Sequence, residues 1–221
     1  MQAASSLQQY FPAVIKERMF IRQRNLAVYQ KWLFDGVAFE NANVLDIGAG
    51  SGLFGFYAAC NGAADVVCLE PEVEGSTSGV RQKFSRVKAR LGLANIRLEP
   101  VLFQDYDARG RKFEVILLHN SVNHLDEPAC ERLLTDESAR ESYRENFRKL
   151  AAISRRGTTL ILADCSRHNF FASLGIRNPF MPTIEWQKHQ APELWARMLA
   201  EVGFDQDRKS TRLNSSHPYR S

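Results

Sequence analysis

A chain of 221 residues with 44% hydrophobic residues is long enough for one α/β domain with a modest extra element. Its formal charge of +4 is carried by the last stretch alone, where Arg208, Lys209, Arg212 and Arg220 face no acid, so the body is neutral and a nucleic-acid partner is disfavoured. The longest apolar runs are far too short for a bilayer and no secretory pattern opens the chain, which predicts a cytoplasmic protein with no membrane partner.

In chain order, residues 1–6 read as disordered. Over 7–34 apolar residues recur at helical spacing (Leu7, Phe11, Val14 or Ile15, Leu26, Tyr29, Leu33), predicting two helices. Pro12 fits a first helical turn, and Asp35-Gly36 ends the second helix. Together, residues 1–40 form an N-terminal helical cap over a ligand cleft. A strand follows at Asn43–Ile47, then a helix over 52–60 ended by Asn61-Gly62, then a strand at Asp65–Leu69. Ser76 or Ser78 caps the next helix, whose apolar stripe is Val80, Phe84, Val87 and Leu91. Its other side carries Arg81, Lys83, Arg86, Lys88 and Arg90 and reads as a solvated face.

Further strands are expected at Ile96–Glu99, 114–118 and 158–163. A polar helical region over 128–154 separates the last two, broken near Thr135-Asp136. Residues 166–192 are aromatic and proline-rich, and too long for a plain connection. A helix over 193–202 ends at Gly203. The alternation predicts a doubly wound, mostly parallel sheet with helices on both faces. The four cysteines (Cys60, Cys68, Cys130, Cys165) are scattered without a CxxC pair, as in reduced, mostly buried thiols.

The most informative stretch is VLDIGAGSGLFG at 44–55. A buried strand ends near an acid, Asp46, and runs into a turn with Gly48, Gly50 and Gly52 before a helix begins. Glycines permit left-handed angles and close approach of a ligand, and the helix N-terminus can hold an anionic or carboxylate-bearing group. Gly50, Gly52 and Gly55 also satisfy the GxGxxG dinucleotide pattern. Asp46, however, would repel a pyrophosphate and suits a cationic amine. Glu70 ends the second strand, where an acid can accept hydrogen bonds from a ribose diol.

This phrase resembles motif I of the class I S-adenosylmethionine (SAM)-dependent methyltransferases, in their small-molecule type. Glu70 in CLEPE is similar to the family's ribose-binding acid, and Gln104-Asp105-Tyr106 resembles its adenine-binding motif. There the Asp105 carboxylate would take the adenine amino group and the Tyr106 backbone would meet the ring edge. FEVILLHNSVNHL (113–125) resembles the fourth strand and its loop, so His119 and Asn120 would pass the methionine end. The resemblance implies a Rossmann-like SAM-binding domain over 41–206, with 165–192 lining the acceptor pocket. It implies cofactor contacts from Asp46, Gly48, Gly50, Gly52, Glu70, Gln104, Asp105, Tyr106, His119 and Asn120. The last 15 residues, from 207 onward, hold RKSTRLNSSH, which resembles a translated sequencing-adapter or vector sequence. If that tail is non-native, the family's last strands are missing.

Methyl transfer from a sulfonium is an in-line displacement that needs alignment, exclusion of water and, for a hydroxyl or protonated amine, a general base. His124 and His189 are the leading candidates for that base, ahead of His119 and His168. Asp164, at the end of the fifth strand, lies near the expected cleft. No metal-ligand spacing is present. The loop HNSVNH differs from the Asn-Pro-Pro-Tyr type of DNA amino methyltransferases, leaving a small-molecule acceptor as the expected partner. A nicotinamide-dependent oxidoreductase, which lacks support from a Tyr-x-x-x-Lys pair, and a non-catalytic SAM-binding module are the alternatives. Oligomeric state is not legible.

Overall fold

Among the described residues, five strands form one sheet: β1 (Asn43–Ile47), β2 (Asp65–Leu69), β3 (Ile96–Glu99), β4 (Phe113–His119) and β5 (Ser154–Ala163), in the order β3-β2-β1-β4-β5. The computed structural model describes residues 2–71, 79–166 and 186–204. β1 and β2 are buried along almost their whole length, which is why they read as continuous apolar runs rather than alternating ones. β1 runs parallel to β2, with Leu45 opposite Val67, and parallel to β4, with Ile47 opposite Leu118. β2 runs parallel to β3. The Thr158 hydroxyl donates to the Phe113 carbonyl at 2.6 Å and the Asn120 N–H to the Ala163 carbonyl at 2.7 Å, so β5 advances in the same sense as β4. The chain steps outward from β1 to β3 and then returns to the opposite side of β1 for β4. The strand order therefore reverses between β1 and β4, the place where open α/β sheets leave a ligand crevice at their carboxyl ends.

The chain divides into two compact units, one built on residues 1–119 and 154–162, the other on 120–153 and 163–220. In the first, α1 (Gln2–Lys16), α2 (Gln23–Leu33), α3 (Leu53–Cys60) and α4 (Val80–Leu91) share one hydrophobic core with β1 and β2. α3 is buried at every position except Tyr57, matching a sequence apolar on all sides. α4 buries the expected stripe of Val80, Phe84, Val87 and Leu91. Ser76 and Ser78 lie outside the described residues, and α4 is preceded by Gly79 at φ +82°. On its basic face, Arg86 pairs with Glu17 at 2.8 Å.

α1 differs from expectation. It starts at Gln2, where disorder was expected, and Pro12 lies inside it instead of in its first turn. Tyr10, Ala13 and Val14 are buried in the core and anchor this helix, and an anchored helix extends backward cheaply because the nucleation cost is already met. The Tyr10 hydroxyl donates to the Leu53 carbonyl at 3.0 Å and accepts from the buried Gln30 amide, joining α2, α1 and the start of α3.

The second unit holds α5 (Glu127–Arg132), α6 (Glu137–Ile153) and α7 (Pro192–Ala200). The expected break falls at 133–136. Its cause is Asp136, whose Oδ1 accepts from the Ser138 N–H at 2.8 Å and caps α6. Asp126 caps α5 through the Ala129 N–H. Tyr143 is fully buried against Phe147 and Trp195, and its hydroxyl donates to the Val122 and Asn123 carbonyls at 3.0 and 3.2 Å. Replacing Tyr143 by phenylalanine is expected to cost about 1.5 kcal/mol, read as a lower denaturation midpoint with unchanged urea slope.

β5 begins four residues earlier than expected, directly after α6. Most of the aromatic segment (167–185, with His168) and the tail at 207–221 lie outside the described residues. So does the stretch in which later strands would fall. No helix among the described residues is long and apolar enough to cross a membrane.

Candidate functional site

Where β1 ends, the Gly48 and Ala49 N–H groups both donate to the Leu69 carbonyl, at 2.9 and 3.0 Å, and the Gly52 N–H donates back to the Ala49 carbonyl. This ties the turn to the end of β2. Three glycines in five residues take left-handed angles, Gly48 at φ +68°, Gly50 at +53° and Gly52 at +85°. Their surroundings differ. A Cβ at Gly50 would meet nothing within 4 Å, whereas one at Gly52 would lie 2.8 Å from the Phe84 ring. Gly50 therefore marks the open side of the turn and Gly52 the side packed on α4. Gly55, inside α3, is tighter still, since a Cβ there would stand 2.4 Å from the Cys68 sulfur.

Two acids lean on this turn. Asp46 is buried and its Oδ2 accepts the Gly55 N–H at 3.1 Å. Burial pushes its carboxyl up to about 7, the Gly55 bond opposes this and the charge of Glu70 adds to it. Glu70, at the tip of β2, accepts the Gly50 N–H at 2.8 Å. At the N-terminus of α3, where the sequence reading expects an anionic or carboxylate-bearing ligand group, the chain's own Asp46 side chain takes one N–H, that of Gly55. When ionised, Asp46 would repel a pyrophosphate brought to the same turn.

After β3, a single turn over Phe103–Asp105 buries Phe103 and Tyr106 while Gln104 and Asp105 stay exposed. The Tyr106 N–H closes that turn onto the Phe103 carbonyl at 3.2 Å, and its buried hydroxyl has no hydrogen-bond partner among the described residues. Burial, with Glu99 nearby, pushes that phenol up to about 12.

At the end of β4, the His119 Nε2 and the Tyr29 hydroxyl share a hydrogen bond of 2.6 Å, and the Phe54 ring packs on the imidazole at 4.5 Å. Sequence reading missed Tyr29, because a tyrosine on the apolar stripe of a helix reads as core.

The remaining candidates belong to the second unit. Asn120 takes φ +52° and bonds Ala163. His124 is exposed and its Nδ1 pairs with Glu127, which also binds Lys188 at 3.0 Å. His189 is more enclosed. Its Nδ1 lies 3.1 and 3.2 Å from the two carboxylate oxygens of Asp164, whose side chain is 3% exposed. Asp164 was singled out from sequence, but not as the partner of His189. Among the described residues, no group of three His, Cys, Asp or Glu side chains could hold a metal ion.

No protein-family model matches the chain, and no curated protein matches it. Solved structures do. A Galdieria sulphuraria protein assigned as a sarcosine dimethylglycine methyltransferase matches 82% of this chain at 16% identity and TM-score 0.59. A Nostoc punctiforme protein assigned as an O-methyltransferase matches 82% at 18% identity and TM-score 0.55. The cyclase SpnF matches 82% at 13% identity and TM-score 0.59. The matched parts are 63%, 50% and 57% of those chains, so this chain spans about half to two thirds of their length. At such identities the likeness defines the fold, which is the α/β Rossmann-like fold of methyltransferases, with a mostly parallel five-stranded sheet. The name of SpnF is a reminder that this fold serves more than one reaction.

Proposed function

We propose that this chain binds SAM and transfers its methyl group to a small-molecule acceptor in the cytoplasm. The observation that carries this reading is the Asp46 carboxylate on the α3 N-terminus, beside a glycine turn with an open side at Gly50. That donor set rejects a pyrophosphate and accepts a nucleoside that ends in a cationic amine. Glu70 would take the ribose diol, Asp105 the adenine amino group, and the chain around Gly48, Gly50, Gly52, Tyr106, His119 and Asn120 would enclose the rest. The cofactor supplies a methyl group on a positively charged sulfur, already activated for displacement. The protein has to align the acceptor, keep water out and, where the acceptor is a hydroxyl or a protonated amine, remove a proton.

His189 is the base we favour over His124. A buried carboxylate on Nδ1 fixes the imidazole tautomer and orientation, so that Nε2 is the basic nitrogen. His124, by contrast, engages an exposed glutamate in a surface ion pair. On an acceptor found in a panel of phenols, alcohols and amines, His189→Ala is expected to lower kcat by about 10²-fold while leaving S-adenosylhomocysteine affinity unchanged.

Calorimetric titration with S-adenosylhomocysteine, beside NADH, tests the reading. Binding of the first alone is expected, weakened about tenfold or more in Glu70→Ala. Binding of NADH alone would replace methyl transfer by nicotinamide chemistry.

A further inference from the structure

Three elements of the first unit meet at the point where the strand order reverses. Ile47 of β1 stands opposite Leu118 of β4, so Gly48, just past β1, and His119, the last residue of β4, follow at the carboxyl ends of neighbouring strands. α3 brings Phe54 to 4.5 Å from the His119 ring. α2 brings the half-buried Tyr29, whose hydroxyl shares the 2.6 Å bond with His119 Nε2 and whose ring meets the imidazole edge-on at 5.7 Å. An imidazole at a strand end would ordinarily sample several rotamers. Here one hydrogen bond and two aromatic neighbours restrain it before any ligand arrives.

The strand order says which part of a ligand this concerns. Gln104 and Asp105 follow β3 and Glu70 ends β2, on one side of β1, while His119 ends β4 on the other. A ligand with its nucleoside over β2 and β3 must direct its far end toward β4. We infer that Tyr29 is a positioning residue for that far end: its hydroxyl fixes the His119 ring, and the fixed ring recognises the amino-acid arm of the ligand and not its nucleoside. This rests on the SAM reading above and extends it to α2. Restraining a side chain in advance lowers the entropy lost on binding, so releasing it weakens binding.

Calorimetry with two ligands tests this. S-adenosylhomocysteine carries the amino-acid arm; 5′-methylthioadenosine has the same nucleoside and sulfur without it. Tyr29→Phe is expected to weaken S-adenosylhomocysteine about fivefold and to leave methylthioadenosine within about twofold of wild type. His119→Phe should do the same, and the double variant should be no weaker than His119→Phe alone, because the two side chains act as one unit. Circular dichroism confirms folding, and His119→Gln replaces His119→Phe should the latter not fold. Unchanged S-adenosylhomocysteine affinity in Tyr29→Phe, equal losses on both ligands, or additive losses in the double variant would each overturn the inference. Absence of binding of either ligand to the wild type would remove the SAM reading itself, and this inference with it.

Discussion

Gly55→Ala is expected to lower the melting temperature by about 6 °C, from a net loss of about 2 kcal/mol. Two effects oppose each other. Alanine is the better helix former and would gain up to about 1 kcal/mol inside α3. Its methyl, however, would arrive 2.4 Å from the fully buried Cys68 sulfur, between a buried helix and a strand buried there on both sides of Cys68. Overpacking of this kind costs about 3 kcal/mol where neither backbone can retreat, so the clash wins. Cys68→Ala removes the obstructing sulfur, and the double variant is expected to recover most of the loss. The measurement is thermal unfolding of the two single variants and the double. A Gly55→Ala protein that melts with the wild type, or a double variant that melts below both singles, would refute the contact as the reason for this glycine.

Asp46→Asn is expected to stabilise the folded chain at neutral and alkaline pH and to leave it nearly unchanged in acid. The Asp46 carboxyl titrates near 7 in the fold against 3.8 when free, with burial as the leading cause. Between those values the folded chain keeps a proton that the unfolded chain has released. Wild-type stability therefore falls as pH rises from about 4 to about 7 and levels off beyond, by an amount on the order of 4 kcal/mol. Asparagine can still accept the Gly55 N–H but carries no proton to lose, so its share of this slope vanishes. Urea unfolding of both proteins from about pH 5 to about pH 8 makes the comparison. Parallel curves would show that Asp46 is ionised throughout. In the SAM reading, a cationic ligand arm favours the ionised form. Affinity for S-adenosylhomocysteine should then rise with pH, by up to about tenfold per unit below 7, and become flat above it.

How much of this was legible depended on how local each cause is. β1 and β2 were readable to the residue because strands buried along almost their whole length leave apolar runs ended by turn residues, and the half-buried β3 because Pro100 closes its alternating Ile96, Arg97, Leu98 and Glu99. The gap between α5 and α6 was readable because Asp136 caps within its own turn. The start of α1 was not, since it is held by Tyr10 and Val14 packing on distant elements. The glycines were visible, but not their separate duties. Gly55 looked like part of a phosphate fingerprint, and its role is to let α3 lie against Cys68. Asp46 looked like a ligand group waiting for a cation, while in the fold it also caps α3. The pairs Tyr29–His119 and Asp164–His189 join residues 90 and 25 positions apart, and no periodicity announces them.

The buried relay from Gln30 through Tyr10 to the Leu53 carbonyl has a consequence for how this gene can vary. The first helices meet the glycine turn through hydroxyl and amide groups that water cannot reach to replace. Exchanging them for the leading segment of a relative, by recombination or by design, would exchange the footing of the turn as well. Changes at positions 10 and 30 should therefore be tolerated as a pair and resisted one at a time, while position 53 enters only through its backbone carbonyl.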